Sequence, residues 1–215
     1  MYRYFFKRLI DIIFSFLMLI ILAPFLLIIS LIIKIDSKGP VIFKQKRVGK
    51  GKKFFNIWKF RSMPITAPHD TPTHQLENPE VFLSKWQRFI RKTSIDELPQ
   101  LFCILFGKMS FIGPRPALWN QEDLIEERDK YGANDVVPGL TGLAQVSGRD
   151  ELEIPIKAKL DGEYTTALKA GKFKGVAMDV KCFFKTIGSV LKSDGVVEGG
   201  TGEMAKNVEN EEKGE

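Results

Sequence analysis

The sequence predicts a mainly helical α+β protein fastened to a membrane by its amino-terminal helix, and three observations predict it. From Ile12 to Ile33 the chain carries no charge, and only Ser15, Pro24 and Ser30 interrupt an apolar run long enough to cross a bilayer. Residues 41–61 contain two runs of partial alternation around a Gly- and Lys-rich turn, Gly49 to Lys53, which read as one small β-hairpin. Beyond them, most of the chain is made of helical stretches separated by Pro- and Gly-rich breaks.

The amino-terminal helix departs from an ordinary span in two ways. Pro24 falls near its middle, where it removes a backbone donor and clashes with the preceding turn, so a bend is expected at Ala23-Pro24. Each half then reaches roughly 18 Å, against a hydrocarbon core of about 30 Å. Arg3, Lys7 and Arg8 precede the segment, and Lys34, Lys38, Lys44, Lys46, Arg47, Lys50, Lys52 and Lys53 follow it, with Asp36 opposing them. Both ends therefore prefer the cytoplasmic face. The expectation is a re-entrant helix that enters one leaflet, bends and returns; a kinked single span is the alternative. A cleavable signal peptide fits less well, because the apolar run is too long and no small-residue cleavage site follows.

Composition agrees with a membrane-bound protein carrying one cytoplasmic domain. Lys and Arg number 32 against 26 Asp and Glu, a net charge of +6, and much of the excess lies just after the apolar segment. That placement suits anionic headgroups or phosphate ligands. Nucleic acid is disfavoured, since no recognition helix, zinc-finger spacing or RNA-binding aromatic motif occurs. Cys103 and Cys182 are isolated in apolar surroundings and read as packing residues. His69 and His74 lie in a Pro- and Thr-rich loop and read as solvated rather than as a metal pair. The division expected is a membrane helix over 1–36, a cytoplasmic domain over 37–197 and a disordered acidic tail over 198–215.

Within the domain, Pro64, Pro68, Pro72 and Pro79 predict an irregular loop over 64–79. A helix is expected from Val81 to Lys92, followed by an almost wholly apolar helix from Leu98 to Phe106. Further helices are expected near 117–130, 152–169 and 174–192, with Gly195 ending the last.

The chemistry concentrates in Thr93 to Pro116, TSIDELPQLFCILFGKMSFIGPRP. Ser94 and Glu97 read as a capping box, whereas Pro99 favours a helix start nearer Asp96. Either start sets Asp96 and Glu97 at a helix amino end, where anions are favoured, so a phosphate site is plausible. Plain dipole complementation is the competing reading. About twenty residues on, Pro114 and Pro116 restrict the backbone around Arg115, whose planar donor fork suits phosphate oxygens. A rigid turn bearing a solvated arginine is its alternative.

With these elements placed, the chain resembles a bacterial sugar transferase of the monotopic phosphoglycosyl transferase family, in its small form of membrane helix and catalytic domain. The residues that carry the resemblance are KRLIDIIFSFLMLIILAP, KFRSM at Lys59 to Met63, SIDELPQLF, MSFIGPRP ending at Pro116, VPGLTGLAQVSGR from Val137 to Arg149, and MDVKCFFKTIGSVLKSDGV. They occur in the family's order over roughly residues 1 to 197.

The resemblance implies transfer of a sugar 1-phosphate from a UDP-sugar to polyprenyl (undecaprenyl) phosphate, with release of UMP, by an Asp-Glu dyad and Mg2+. It is the first membrane step of glycoconjugate synthesis, on the cytoplasmic face of the bacterial inner membrane. Carried onto this chain, Asp96 is the covalent nucleophile and Glu97 helps hold the metal. Lys59, Arg61, Arg91 and Arg115 match basic positions near the family's active site, Gln145 and Arg149 its nucleotide-side loop, and Asp161 an acidic position in the following helix. Membrane lipids are expected partners, and a homo-oligomer stays open. Ala23 stands where serine is common, Lys108 where an acid is common, and the stretch after Asp161 is poorer in aromatics than usual.

Two other classes share these features. A membrane-anchored binding or assembly protein explains the helix and basic collar without catalysis. A metal-dependent phosphohydrolase shares the carboxylates and arginine and needs no polyprenyl phosphate.

Overall fold

In the computed structural model, residues 2–63, 83–148 and 152–192 are described. The loop over 64–79 with His69 and His74, Arg149, the Gly195 terminator and the acidic tail lie outside the described residues.

A π-helical turn, Tyr2–Phe6, leads into α1, Lys7–Asp36. Its 30 residues span about 45 Å at the α-helical rise. The helix is continuous through Ala23 and Pro24. Lys7, Asp11, Ser15, Ile29 and Ile33 are buried, and half-buried Leu19, Leu22 and Leu26 complete one stripe at helical spacing that packs on the domain. The rest of the surface is apolar and exposed, with Phe14, Phe16, Leu17, Ile21, Leu27 and Leu31 among its largest side chains.

The hairpin forms as the alternation predicts, β1 (Ile42–Val48) pairing antiparallel with β2 (Phe54–Phe60) from Ile42↔Phe60 to Val48↔Phe54. Gly51 and Lys52 both take left-handed φ in the turn, a conformation that costs the glycine little. Inward, Ile57 meets Leu101, Cys103, Ile104 and Met109, while Phe60 meets Ile29, Ile33 and Ile90. The hairpin thus packs between α1 and the two short helices on either side of the dyad. Both cysteines are buried and free, as expected of packing residues.

Helix α2 covers Lys85–Lys92. The Val81 start is not observed: Val81 and Phe82 lie outside the described residues, and Ser84 is extended, capping the helix through a box with Gln87. The capping box predicted at Ser94 and Glu97 is also corrected. Ser94 has φ +54° and makes no cap; Ile95–Glu97 is a 3-10 turn, and α3 (Gln100–Leu105) begins only after Pro99, whose missing donor fits the start of a helix. The expected helix over 117–130 is shortened to α4, Glu122–Asp129. Its first residues are extended because Leu118 bridges to Arg47 and Val48 donates to the Ala117 carbonyl at 2.9 Å.

A second sheet was not foreseen. β3 (Ser110–Ile112) runs parallel to β4 (Gly139–Thr141), and Gly113 and Gly139 abut so closely that a Cβ on Gly139 would lie 2.1 Å from the Gly113 nitrogen. Helices α5 (Ile154–Lys169) and α6 (Lys172–Lys192) follow, where the sequence places them. They close a core of Ile112, Val136, Leu143, Tyr164, Leu168 and Cys182. Phe173, Val180, Phe184 and Ile187 of α6 remain exposed at helical spacing, with Phe183 beside them.

Candidate active site

The 3-10 turn Ile95–Glu97 sets the two carboxylates beside β2 and the Pro114-Arg115-Pro116 corner. Lys59 Nζ donates to Glu97 Oε1 at 2.8 Å and lies 3.9 Å from Asp96 Oδ2. Arg115 donates to the same Glu97 oxygen at 2.7 Å. The residues named as one candidate set, Lys59, Asp96, Glu97 and Arg115, therefore come together from three separate stretches of chain.

Electrostatics separate the two acids. Burial and then the charge of Glu97 push Asp96 up to about 6, although Lys59, Arg91 and Arg115 pull the other way. Burial also opposes ionisation of Glu97, but the Arg115 and Lys59 charges outweigh it and hold that carboxyl well below the usual range. Glu97 is thus a fixed anion whose Oε1 accepts from two cations. Asp96 is the less stabilised carboxylate, and its oxygens are the freer to form a new bond.

A cavity of about 1780 Å3 adjoins the dyad. Lys59, Ser94, Glu97, Arg115 and Gln145 line it together with apolar side chains of α1 and α6, such as Ile10, Phe14, Val180 and Phe184. Asp96 is not among the lining residues and is 8% exposed. Gln145, in a 3-10 turn after β4, has both amide atoms buried with no hydrogen-bond partner among the described residues.

Three predicted positions are placed differently. Arg61 is buried and closes the carboxyl end of α1, donating to the Ser37 carbonyl at 2.6 Å and the Lys38 carbonyl at 3.0 Å. Arg91 acts on Asp96 through its charge and does not line the cavity. Asp161 is fully buried and accepts from Arg128 Nε at 2.9 Å. Arg128 lines the cavity and Asp161 does not, so a bearing of Asp161 on binding passes through Arg128.

Sequence reasoning missed Arg128, which is hidden in the charged run EERDK and gives no local signal. It also missed Asp11 and Asp179. An acid at the head of an apolar run, as Asp11 is, was a readable sign of a partner: Asp11 Oδ1 accepts the Phe111 amide at 3.1 Å.

The donor set suits a hard divalent cation. Among the described residues no three His, Cys, Asp or Glu side chains gather into a metal cage. Mg2+ needs none, since it keeps several waters and binds through one or two carboxylates and the phosphates of its substrate. Two adjacent carboxylates, one of them firmly anionic beside a cavity with basic walls, meet that requirement.

A mainly helical domain thus sets paired carboxylates and basic side chains beside a cavity that a long apolar helix helps to line. The chain belongs to the bacterial sugar transferase family, whose pattern matches residues 2–193. It is 42% identical over 185 residues to a UDP-glucose:undecaprenyl-phosphate glucose-1-phosphate transferase of Klebsiella pneumoniae, covering 85% of this chain and 39% of that protein. An undecaprenyl-phosphate galactose phosphotransferase of Salmonella typhimurium is 35% identical over 207 residues, 89% of this chain and 41% of the relative. Exopolysaccharide production protein PSS of Rhizobium leguminosarum is 37% identical over 193 residues and matches along 94% of its own length. The chain spans about two fifths of the first two relatives.

Proposed function

We propose that the protein transfers a sugar 1-phosphate from a UDP-sugar to undecaprenyl phosphate, releasing UMP and opening the synthesis of a polysaccharide or other glycoconjugate. The observation that carries this reading is the unequal treatment of two adjacent carboxylates: Lys59 and Arg115 both bond Glu97, while Asp96 is buried with its affinity for a proton raised. The names of the Klebsiella and Salmonella relatives supply the substrate class, a hexose 1-phosphate and a polyprenyl phosphate.

An Asp96 oxygen attacks the sugar-bearing phosphorus; the Asp96 O–P bond forms as the bond to the bridging diphosphate oxygen breaks, and UMP leaves with that electron pair. A phosphate oxygen of the polyprenyl acceptor then attacks the same phosphorus. The acyl-phosphate bond breaks, Asp96 returns to a carboxylate, and the product is polyprenyl diphosphate-sugar. Arg115 and Lys59 border the cavity where diphosphate charge would sit and balance it. Glu97 would hold a Mg2+ ion, which when bound supplies charge neutralisation to the diphosphate. Gln145, with an unsatisfied donor and acceptor, is suited to a polar group of the nucleotide; Arg149 is assigned to the same loop on sequence alone.

The catalytic domain, over 37–197, lies on the cytoplasmic face of the inner membrane, and α1 enters one leaflet and returns. Supporting this, both ends of α1 bond to the same domain, Lys7 to Asp179 at 2.8 Å and Asp36 to Gln87 at 3.3 Å. A straight span would draw that domain into the hydrocarbon. Exposed Phe173 and Phe184 on α6 suit a helix resting on the headgroups. Cysteines engineered near residue 3 should resist a membrane-impermeant reagent applied from outside, and labelling there would overturn this topology.

The deciding experiment incubates the full chain in lipid nanodiscs with Mg2+, undecaprenyl phosphate and a panel of UDP-sugars. UMP release that requires the lipid phosphate is expected for one or a few donors. Release of inorganic phosphate or free sugar phosphate without the lipid would identify a phosphohydrolase instead, and lipid binding without turnover an assembly protein.

A further inference from the structure

A buried polar cluster outside the dyad connects α1 to the strand that delivers Arg115. Asp179 of α6 stands at its centre and is 6% exposed. Its Oδ2 accepts from Lys7 Nζ at 2.8 Å and from the Tyr2 hydroxyl at 2.6 Å, both at the amino end of the membrane helix. Its Oδ1 faces the hydroxyl of Tyr164, 2.8 Å away, and that hydroxyl is also 2.9 Å from the Ile112 carbonyl. Tyr164 is 1% exposed and does not line the cavity, whereas Tyr2, Lys7 and Asp179 do.

A tyrosine hydroxyl has one proton and here two acceptors. Which acceptor receives it depends on the charge left on Asp179, because a bond to an uncompensated carboxylate is about twice as strong as one to a neutral carbonyl. With Lys7 and Tyr2 seated on Oδ2, the carboxylate is compensated and the Tyr164 proton can serve the Ile112 carbonyl. With α1 withdrawn, Asp179 takes the proton and the Ile112 carbonyl loses its donor.

Little slack separates Ile112 from the site. Gly113 donates to the Thr141 carbonyl at 2.8 Å, the Pro114 carbonyl accepts from Gly139 at 2.8 Å, and Arg115 follows between two prolines. A Cβ on Gly113 would meet the Val137 oxygen at 2.7 Å, so the strand can neither swell nor slide there. On its other side β3 is tied to α1 directly, through the Phe111 amide and Asp11.

We propose that Tyr164 and Asp179 are positioning residues that couple the seating of α1 to the placement of Arg115, so that the transferase site is assembled only when the membrane helix is docked. The proposal rests on the transferase reading, and each is tested by its own measurement. In nanodiscs, Tyr164→Phe should lower kcat/KM for the UDP-sugar about tenfold, the loss of one buried hydrogen bond, and Lys7→Gln should do the same. Tyr2→Phe, which removes one of two compensating donors, should lower it less, and Lys7→Arg should restore it. In an Arg115→Lys background Tyr164→Phe should cost under twofold, whereas a general structural defect would cost its full factor again.

Hydrogen exchange read by mass spectrometry needs no turnover. Exchange across residues 110–118 should quicken in Tyr164→Phe and Lys7→Gln, with β2 unchanged. Should wild type release no UMP while this exchange quickens, the transferase reading falls and the coupling stands. Unchanged exchange at 110–118, or equal activity losses in both backgrounds, overturns the coupling. If Lys7→Gln fails to fold, Tyr2→Phe decides by the same two measurements.

Discussion

Asp96 and Asp161 are both buried aspartates, both pushed toward the protonated form by desolvation, yet their surroundings assign them to different work. Asp161 has one partner, Arg128, which reaches the same carboxylate oxygen with two nitrogens; both side chains are nearly solvent-free. Asp96 sits among three cations, Lys59, Arg91 and Arg115, and two of them, Lys59 and Arg115, direct their bonds to its neighbour Glu97. In the first case a charge is paired through Oδ2 and closed off, with Oδ1 buried and without a hydrogen bond among the described residues, and in the second a charge is kept near cations without being committed to them. Burial of an acid alone therefore says little; the allocation of its hydrogen bonds separates a fastening from a reacting group.

The largest effect that can break this contrast is on turnover. Asp96→Asn should reduce UMP release about 10,000-fold or more, in line with loss of a covalent nucleophile, while thermal unfolding shows the fold intact. Retained turnover in that variant would remove Asp96 from the mechanism altogether. Arg115→Ala should cost about 100- to 1,000-fold in kcat/KM, the range for removing a preorganised donor from a charge-stabilising site. A loss confined to KM would reassign Arg115 to ground-state binding.

Asp161→Asn should behave in the opposite sense. It leaves Arg128 buried without its counter-charge, a loss of about 3 kcal/mol, read as a lower urea midpoint. Activity per folded molecule should stay within a few-fold of wild type. Collapse of activity with an unchanged midpoint would place Asp161 with the reacting groups, where the family resemblance had put it.

The difference between these two aspartates was not legible in the sequence. Asp96 and Glu97 were conspicuous because adjacent acids precede an apolar run, and Arg115 because prolines flank it. Lys59 needed the hairpin register, which alternation predicts to within a residue or two. Asp161 looked like a site residue because its partner, Arg128, is 33 positions away in a run of ordinary surface charges. Arg61 is a related case: two positions from Lys59 in an extended run, it reads as part of the same patch, but β2 ends at Phe60, and beyond the strand Arg61 donates to the Ser37 and Lys38 carbonyls after α1. The parallel pair β3–β4 escaped because each strand has three residues, too few for a period, and their pairing is decided by glycine-to-glycine contact across 26 intervening residues of chain. The helix start near Asp96 failed because Pro99 admits a start after it as readily as a start before it.

The finest test of the contrast is titration. In the folded protein Asp96 is raised to about 6 from an ordinary 3.8, so the folded state binds a proton there that the unfolded state has already released. Stability from this group is greatest below pH 3.8 and is lost as pH rises through 6. Glu97 runs the other way: its lowered value gives stability at neutral pH that is lost only as pH falls below the ordinary carboxylate range. Activity needs Asp96 ionised, so kcat/KM should fall about tenfold per pH unit below about 6. Arg91 lowers the affinity of Asp96 for its proton without lining the cavity. Arg91→Gln should therefore shift that acid limb to higher pH and leave the plateau rate within a few-fold, as measured by UMP release between pH 5 and 8. A limb that stays in place would mean that the charge of Arg91 does not reach Asp96, and a fallen plateau with an unmoved limb would put Arg91 in contact with substrate.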